Sequence, residues 1–207
     1  MSVHQADPAS AQPLLEVVPL GGLGEFGLNS MAVSYADTLV AVDAGSMFPE
    51  PELLGIDLIV PDFTYLFERP AKTRALVLTH GHEDHIGAVP YVVRQFDGPI
   101  FGTPMTLALL EAKLAEHGID AAGRLVPVRP RDRVVVGEFT LEFLRVTHSM
   151  PDCVAVAIHT PVGTVVHTGD FKVDQTPLDA EHFDFHRFSE LGTAGVLALF
   201  SDSTNIE

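Results

Sequence analysis

The chain has 207 residues, 46% hydrophobic and 8% aromatic, which is enough apolar material for one packed domain and too much for a disordered chain. Its formal net charge of −16 excludes a general basic surface for nucleic acid, because so acidic a surface repels polyanions. No apolar run approaches the ~20 residues of a membrane span. The single cysteine, Cys153, cannot form an internal disulfide, which points to a reducing cytoplasm.

Met1 to Pro13 has neither a basic start nor an apolar core, so it reads as a flexible tail rather than a secretory signal. Leu14 to Leu20 reads as a strand ended by Gly21 and Gly22. Met31 to Tyr35 and Thr38 to Val42, separated by Ala-Asp, predict a hairpin closed by Asp43-Ala-Gly. Asp57 to Phe67 has no clear period. Arg74 to Thr79 is apolar almost throughout, reads as a buried strand, and runs into His80-Gly-His-Glu-Asp-His85. Ile86 to Phe96 has helical spacing despite Pro90. Thr103 as N-cap and Pro104 at the first helical position open a further helix. Its stripe is Leu107, Leu110 and Leu114, and Gly118 is its stop. Short strands follow over Leu125–Val128, Val134–Val136, Phe139–Val146, Val154–His159 and Thr164–Val166. A helix and a last apolar run, Gly195 to Phe200, lead to Ser201-Asp-Ser-Thr-Asn205. This order predicts an α/β chain built as an αββα sandwich, with sheets face to face and helices outside, rather than a doubly wound parallel sheet.

Four metal-ligand side chains, His80, His82, Asp84 and His85, fall within six residues directly after a buried strand. His80 and His82 can turn toward one ion, and Asp84 and His85 toward a neighbour. His148 and Asp170 each follow a predicted strand, and strand ends converge on one edge of a sandwich. Imidazole and carboxylate suit zinc and also accept manganese or iron. Gly81 and Gly87 leave room for tight turns. The bland alternative is a solvated polar loop, which a lone His-x-His would merit. Two divalent ions would bring four positive charges to one spot of an otherwise acidic chain. His159 and His167 are expected to be packed or hydrogen-bonded, His117 to lie at a helix C-terminus, and His4, His182 and His186 to be surface residues. Cys153 is expected to pack as a small hydrophobe.

His80-Gly-His-Glu-Asp-His85 resembles the signature of the metallo-β-lactamase superfamily. With Gly21-Gly-Leu-Gly-Glu-Phe-Gly27 and Asn29, His148-Ser-Met-Pro-Asp152, His167-Thr-Gly-Asp-Phe-Lys172 and Ser201-Asp-Ser-Thr-Asn205, the chain resembles the bacterial β-CASP RNA-processing branch of that superfamily. The resemblance implies that His80, His82 and His148 hold a first zinc (or manganese), that Asp84 and His85 hold a second, and that Asp170 bridges both. Asp43 matches a buried aspartate under the site that orients a ligand or the loop; capping a turn is the alternative. Residues 14–207 would then be the N-terminal part of the metallo-β-lactamase domain. The β-CASP insertion, the rest of the domain and one further histidine ligand would follow position 207, so the isolated chain is expected to be inactive.

The implied activity is hydrolysis of single-stranded RNA, exonucleolytic from the 5′ end, endonucleolytic or both, by a metal-bridging hydroxide that Asp84 orients. The resemblance also implies a homodimer for the full-length protein. Glu83 is expected to point away from the metals, and Lys172 to be a surface lysine. Glu50, Glu52 and Asp57 form an acidic loop that could take a separate calcium ion. Hydrolysis of a small ester, thioester or lactam on the same fold, and an inactive fragment that keeps the fold, are the competing readings.

Overall fold

Two hydrophobic stripes, one on each face of the same strands, set the architecture. In the computed structural model, which describes residues 13–69, 71, 73–121 and 123–204, β2 (Ser30–Tyr35) and β3 (Thr38–Val42) form the expected antiparallel hairpin. The tail expected over residues 1–13 lies, apart from Pro13, outside the described residues, as do His4 and Asn205. Along β3, Leu39 and Ala41 face one core while Val40 and Val42 face another. That alternation is the period-two signature of a strand buried on both sides. In β4 (Thr73–Val77) and just after it, Leu76 and Leu78 join the first core and Ala75 and Val77 the second.

The first sheet has six strands in the order β1 (Glu16–Gly21), β2, β3, β4, β5 (Ile100–Gly102) and β6 (Leu125–Pro127). The second has five, in the order β11 (Ala198–Phe200), β10 (Gly163–His167), β9 (Val154–Thr160), β8 (Phe139–Arg145) and β7 (Arg133–Val136). Phe139, Leu141 and Phe143 of β8 and Val154, Val156 and Ile158 of β9 meet β3 and β4 across the inter-sheet core. Each fully buried side chain of this kind contributes about 1.5–3 kcal/mol. On the outer faces lie α1 (Thr64–Glu68), α2 (Glu83–Ile86), α3 (Val89–Val92) and α4 (Pro104–Glu116) against the first sheet. α5 (Phe185–Ala194) covers the second through Leu191 and Phe188. This is the expected αββα sandwich.

Two local expectations are corrected, and one feature of the first sheet had no signal in the sequence. The helix expected over Ile86 to Phe96 is two single turns, and the first starts earlier, at Glu83. The Ala88 amide leaves the helical ladder to bond the Ala44 carbonyl at 2.8 Å, and Pro90 has no N–H to give. The first sheet is parallel from β3 to β6, with the helices as crossovers, and β5 is too short to show a period in the sequence. Thr103 is the N-cap residue of α4, but its side chain makes no cap bond; its hydroxyl donates to the Asp152 carbonyl at 2.8 Å. α4 does stop where expected, with His117 as C-cap and Gly118 at φ +66.

Topology brings the candidate residues together. β3 and β4 are parallel, so Asp43 and the His80 loop leave the same edge of the first sheet. β8 and β10 both run antiparallel to β9, so His148 and Asp170 leave a common edge of the second. The Val154 amide, at the start of β9, donates to the Thr79 carbonyl at 3.0 Å and ties the two edges together.

Candidate metal centre

The His80 loop is held by backbone before any side chain is considered. Asn29 N–H donates to the Asp84 carbonyl (3.1 Å), Ala44 N–H to the His85 carbonyl (2.8 Å) and Ser46 N–H to the Glu83 carbonyl (3.1 Å). This zipper requires close approach. A Cβ on Gly45 would stand 1.6 Å from the Asp84 carbonyl oxygen, and one on Gly87 would stand 1.9 Å from Ser46 Oγ. Gly87 is therefore needed for space rather than for a left-handed backbone, whereas a Cβ on Gly81 would meet only the ends of the Leu109 (2.6 Å) and Met150 (3.2 Å) side chains. On the other sheet, Lys172 N–H donates to the Thr147 carbonyl (2.7 Å) and Thr147 Oγ1 to the Lys172 carbonyl (2.5 Å). These bonds fix the His148 and Asp170 loops to each other.

Two donor groups result. Ligand atoms of His80, His82 and His148 all lie within 4.8 Å of one another, and so do those of His80, His85 and Asp170. His80 Nε2 is 3.0 Å from His82 Nδ1. His85 Nε2 is 3.2 Å from Asp170 Oδ1 and 3.6 Å from Asp84 Oδ2, and His148 Nε2 is 3.8 Å from Asp170 Oδ2. All six expected residues thus meet at one place. The second tight group contains His80 rather than Asp84, which stands beside it with Oδ2 accepting from Asn29 Nδ2 at 3.2 Å.

The floor of the centre is Asp43, which is 1% exposed. Its Oδ1 accepts from Thr79 N–H and its Oδ2 from Thr79 Oγ1, both at 2.8 Å, and Oδ2 lies 2.8 Å from His85 Nδ1. This is the supporting aspartate of the resemblance, not a turn cap. The last residue of an apolar strand gave no sequence signal for Thr79, yet its hydroxyl also reaches His80 Nδ1 at 3.1 Å. Asn29 stood in the quoted motif without a role. Its amide spans Asp84 and His85, with Nδ2 3.1 Å from His85 Nε2.

Electrostatics favour a cation here. Burial, reinforced by His85, drives His80 down to about 2, so it stays a neutral donor. Burial also lowers His85, but Asp43 and Asp170 outweigh it and raise the ring to about 10. Burial raises Asp170, and the contact from His85 reverses this to hold it at about 2. His148 is lowered, chiefly by burial. The pull of Asp43 and Asp170 on His85 shows that positive charge is favoured at this point, which suits a cation held by the same imidazole and carboxylate donors.

The remaining expectations sort simply. Glu83 points away from the cluster and pairs with Lys113 at 2.8 Å. Lys172 is exposed and pairs with Asp174 at 3.2 Å. His159 bonds Glu142 (2.8 Å) and Thr164 (3.0 Å), and His167 Nδ1 accepts from Gly169 N–H at 3.1 Å. His182 and His186 are exposed, and His117 ends α4. Cys153 is buried, which pushes its thiol up to about 12. Glu50, Glu52 and Asp57 of the acidic loop are exposed and belong to neither donor group found among the described residues.

The centre opens into a cleft of about 600 Å³ bounded by the Gly21–Gly27 loop, Asp84, His85, Asp170 and residues 199–204. No helix of the described residues is long and apolar enough to cross a membrane.

The αββα sandwich with this cluster at its edge defines a class. The family model for the Metallo-beta-lactamase superfamily matches residues 23–197, and the chain belongs to that superfamily. Curated relatives narrow the likeness. The chain is 48% identical over 93% of its length to ribonuclease J of Synechocystis sp.. It is 45% identical over 99% to ribonuclease J of Thermus thermophilus, and 41% identical over 93% to ribonuclease J2 of Bacillus subtilis. It spans 30%, 37% and 35% of those proteins, respectively. Among solved structures, a protein of unknown function from Enterococcus faecalis V583 superposes with a TM-score of 0.70 at 20% identity, covering 93% of this chain and 50% of that one. At that identity the likeness concerns the fold.

Proposed function

We propose that this chain forms the metal-binding part of a ribonuclease that hydrolyses phosphodiester bonds of single-stranded RNA. The observation that carries the reading is the pair of donor groups joined through His80, with His85 and Asp170 lining a cleft. The similarity to ribonuclease J supplies the substrate class. His80, His82 and His148 would hold one ion, and Asp84 and His85 a second, with Asp170 shared between them. Two zinc ions are the natural occupants and manganese a substitute, since the donors are imidazole nitrogens and carboxylate oxygens. When bound, such ions supply Lewis acidity, lowering the pKa of water to about 7 and offsetting charge on phosphoryl oxygens.

The residues of the chain do the rest. Asp43 and Thr79 lock the His85 and His80 rings from below. His80 remains neutral and keeps its lone pair available. Asn29 fixes the Asp84 carboxylate, which orients the attacking water and takes its proton. The cytoplasm and a homodimeric whole protein complete the reading, and the 207 residues alone are expected to bind metal without turning over RNA.

Metal content of wild type beside His82→Ala and Asp170→Ala, with 5′-labelled RNA assayed in zinc or manganese, tests this reading. Wild type carrying about two ions per chain, lost in both variants, is the expected result. A wild type that takes up no metal would overturn it. One observation favours a second reading, a hydrolase of a small ester, thioester or lactam. Among the described residues that line the cleft, none is Lys or Arg. Turnover of such an ester by the metal-loaded chain would select that alternative.

A further inference from the structure

The cleft poses a problem for a polyanionic substrate. Its described walls carry Glu25, Asp84, Asp170 and Asp202 but no Lys or Arg, within a chain of net charge −16. Phosphate contacts from basic side chains, the usual source of nucleic-acid affinity, are therefore missing from this surface. Beside the metal centre, this surface offers the other general source of affinity for single strands, stacking of bases on aromatic rings.

One ring is placed for this. Phe26 lines the cleft and is 73% exposed, beside Leu23 at 66%. Both are held out on the Gly22–Gly27 loop. Glycines at φ +83, +76 and +81 (Gly22, Gly24, Gly27) turn the chain there, and Glu25 Oε1 accepts from Gly22 N–H at 3.1 Å. The loop is anchored at the metal centre. Phe26 is three residues from Asn29, a reach of at most about 10 Å, and Asn29 is bonded to Asp84 and His85. Ser201, Ser203 and Thr204 line the same cleft; the Ser201 and Thr204 hydroxyls donate to Asp202 (3.1 and 2.7 Å) and keep their oxygens as acceptors for a sugar hydroxyl or a base edge. An exposed aromatic ring in the same cleft as the candidate metal donors and a hydroxyl-bearing wall matches a nucleotide: phosphate at the metal centre, sugar at the hydroxyls, base on the ring.

We propose that Phe26 is a base-stacking subsite, holding the nucleobase next to the phosphate seated at the metal centre, without regard to base identity. The inference rests on the ribonuclease reading. It deepens that reading by assigning recognition in this cleft to stacking and metal rather than to basic side chains.

The probe is a 2′-O-methyl RNA tetramer, resistant to hydrolysis, and a matching tetramer abasic at one position. Their affinities for the zinc-loaded chain are read by fluorescence anisotropy for wild type, Phe26→Ala, Phe26→Leu and Phe26→Tyr. Wild type should prefer the base-bearing tetramer at one position by roughly 5- to 150-fold. Phe26→Ala and Phe26→Leu should abolish the preference, and Phe26→Tyr should keep it. The salt dependence should be the same in wild type and Phe26→Ala, since a ring releases no counterions. Equal preference in wild type and Phe26→Ala overturns the stacking subsite and leaves the ribonuclease reading standing. Phe26→Leu behaving like wild type also overturns it, because apolar bulk rather than a ring would then suffice. No binding of either tetramer by metal-loaded wild type also overturns the subsite, whereas the ribonuclease reading falls only if wild type takes up no metal. Far-ultraviolet circular dichroism and metal content confirm that each variant is folded and loaded.

Discussion

Asp43 and Glu142 are both buried carboxylates, at 1% and 2% exposure, and they are neutralised in opposite ways. Glu142, on the outer face of β8, is enclosed by Arg187 of α5 (2.7 Å), Arg133 (2.9 Å) and His159 (2.8 Å). The guanidinium of Arg187 grips both carboxylate oxygens and clamps α5 to the sheet. Asp43 has no guanidinium. It bonds Thr79 and His85, and the charge is passed upward into a set of imidazoles and carboxylates that still lacks a permanent cation. One network is closed by guanidinium groups of the chain. The other ends in imidazoles and carboxylates, the donor types of a metal site. A buried acid closed by arginine marks architecture, whereas one closed by titratable, metal-competent donors marks chemistry.

The comparison can be broken most severely at the Asp43 network. Asp170→Ala and His82→Ala should each remove most of the bound metal, read by mass spectrometry of the purified protein. Retention of the full wild-type metal content would make the cluster ornamental. Asp43→Asn keeps the shape but removes the charge under His85. Metal affinity should fall about 10- to 100-fold, measured by competition with a chelating dye, and unfolding free energy by about 3 kcal/mol, since a buried pair is broken. The same change at the closed network, Glu142→Gln, should cost about 1–3 kcal/mol in urea unfolding while leaving metal affinity at the wild-type value. Parallel metal loss would show that the two networks are not separate.

Acid sharpens the contrast. Burial raises Glu142, but the bonds from Arg187 and His159 outweigh it and hold its carboxyl down at about 2, against 4.5 unperturbed. The folded form therefore binds this proton more weakly than the unfolded chain. Its stabilisation is complete above pH 4.5 and is lost as pH falls toward 2. The gap between wild type and Glu142→Gln should close over that interval, as measured by urea midpoints from pH 6 to pH 2.5. The smallest effect belongs to the Glu83–Lys113 pair, half exposed on the Glu83 side. Lys113→Ala should cost at most about 1 kcal/mol and be weakened by salt.

Particular residues show where sequence reading ended. His80 to His85 could be read as ligands because donors so dense after a buried strand have few other uses, and strands such as β3 and β8 could be read from their alternation. α2 and α3 could not, because whether Ala88 bonds Ala44 or its own helix depends on a segment some forty positions away. The parallel half of the first sheet was hidden for a related reason, since β5 has only three residues and its neighbours are set by crossovers.

By itself, the order of residues determined which side chains could bind metal, which strands carry two apolar faces and that the layers are αββα, because these follow from local composition and period. The tertiary structure alone decided that Asp43, Thr79 and Asn29 bond the candidate ligands, that His80 belongs to both donor groups and that Phe26 lines the same cleft as His85 and Asp170. These facts are distances between distant parts of the chain. Such distances are fixed by strand direction and close backbone approach, as at Gly45 against Asp84.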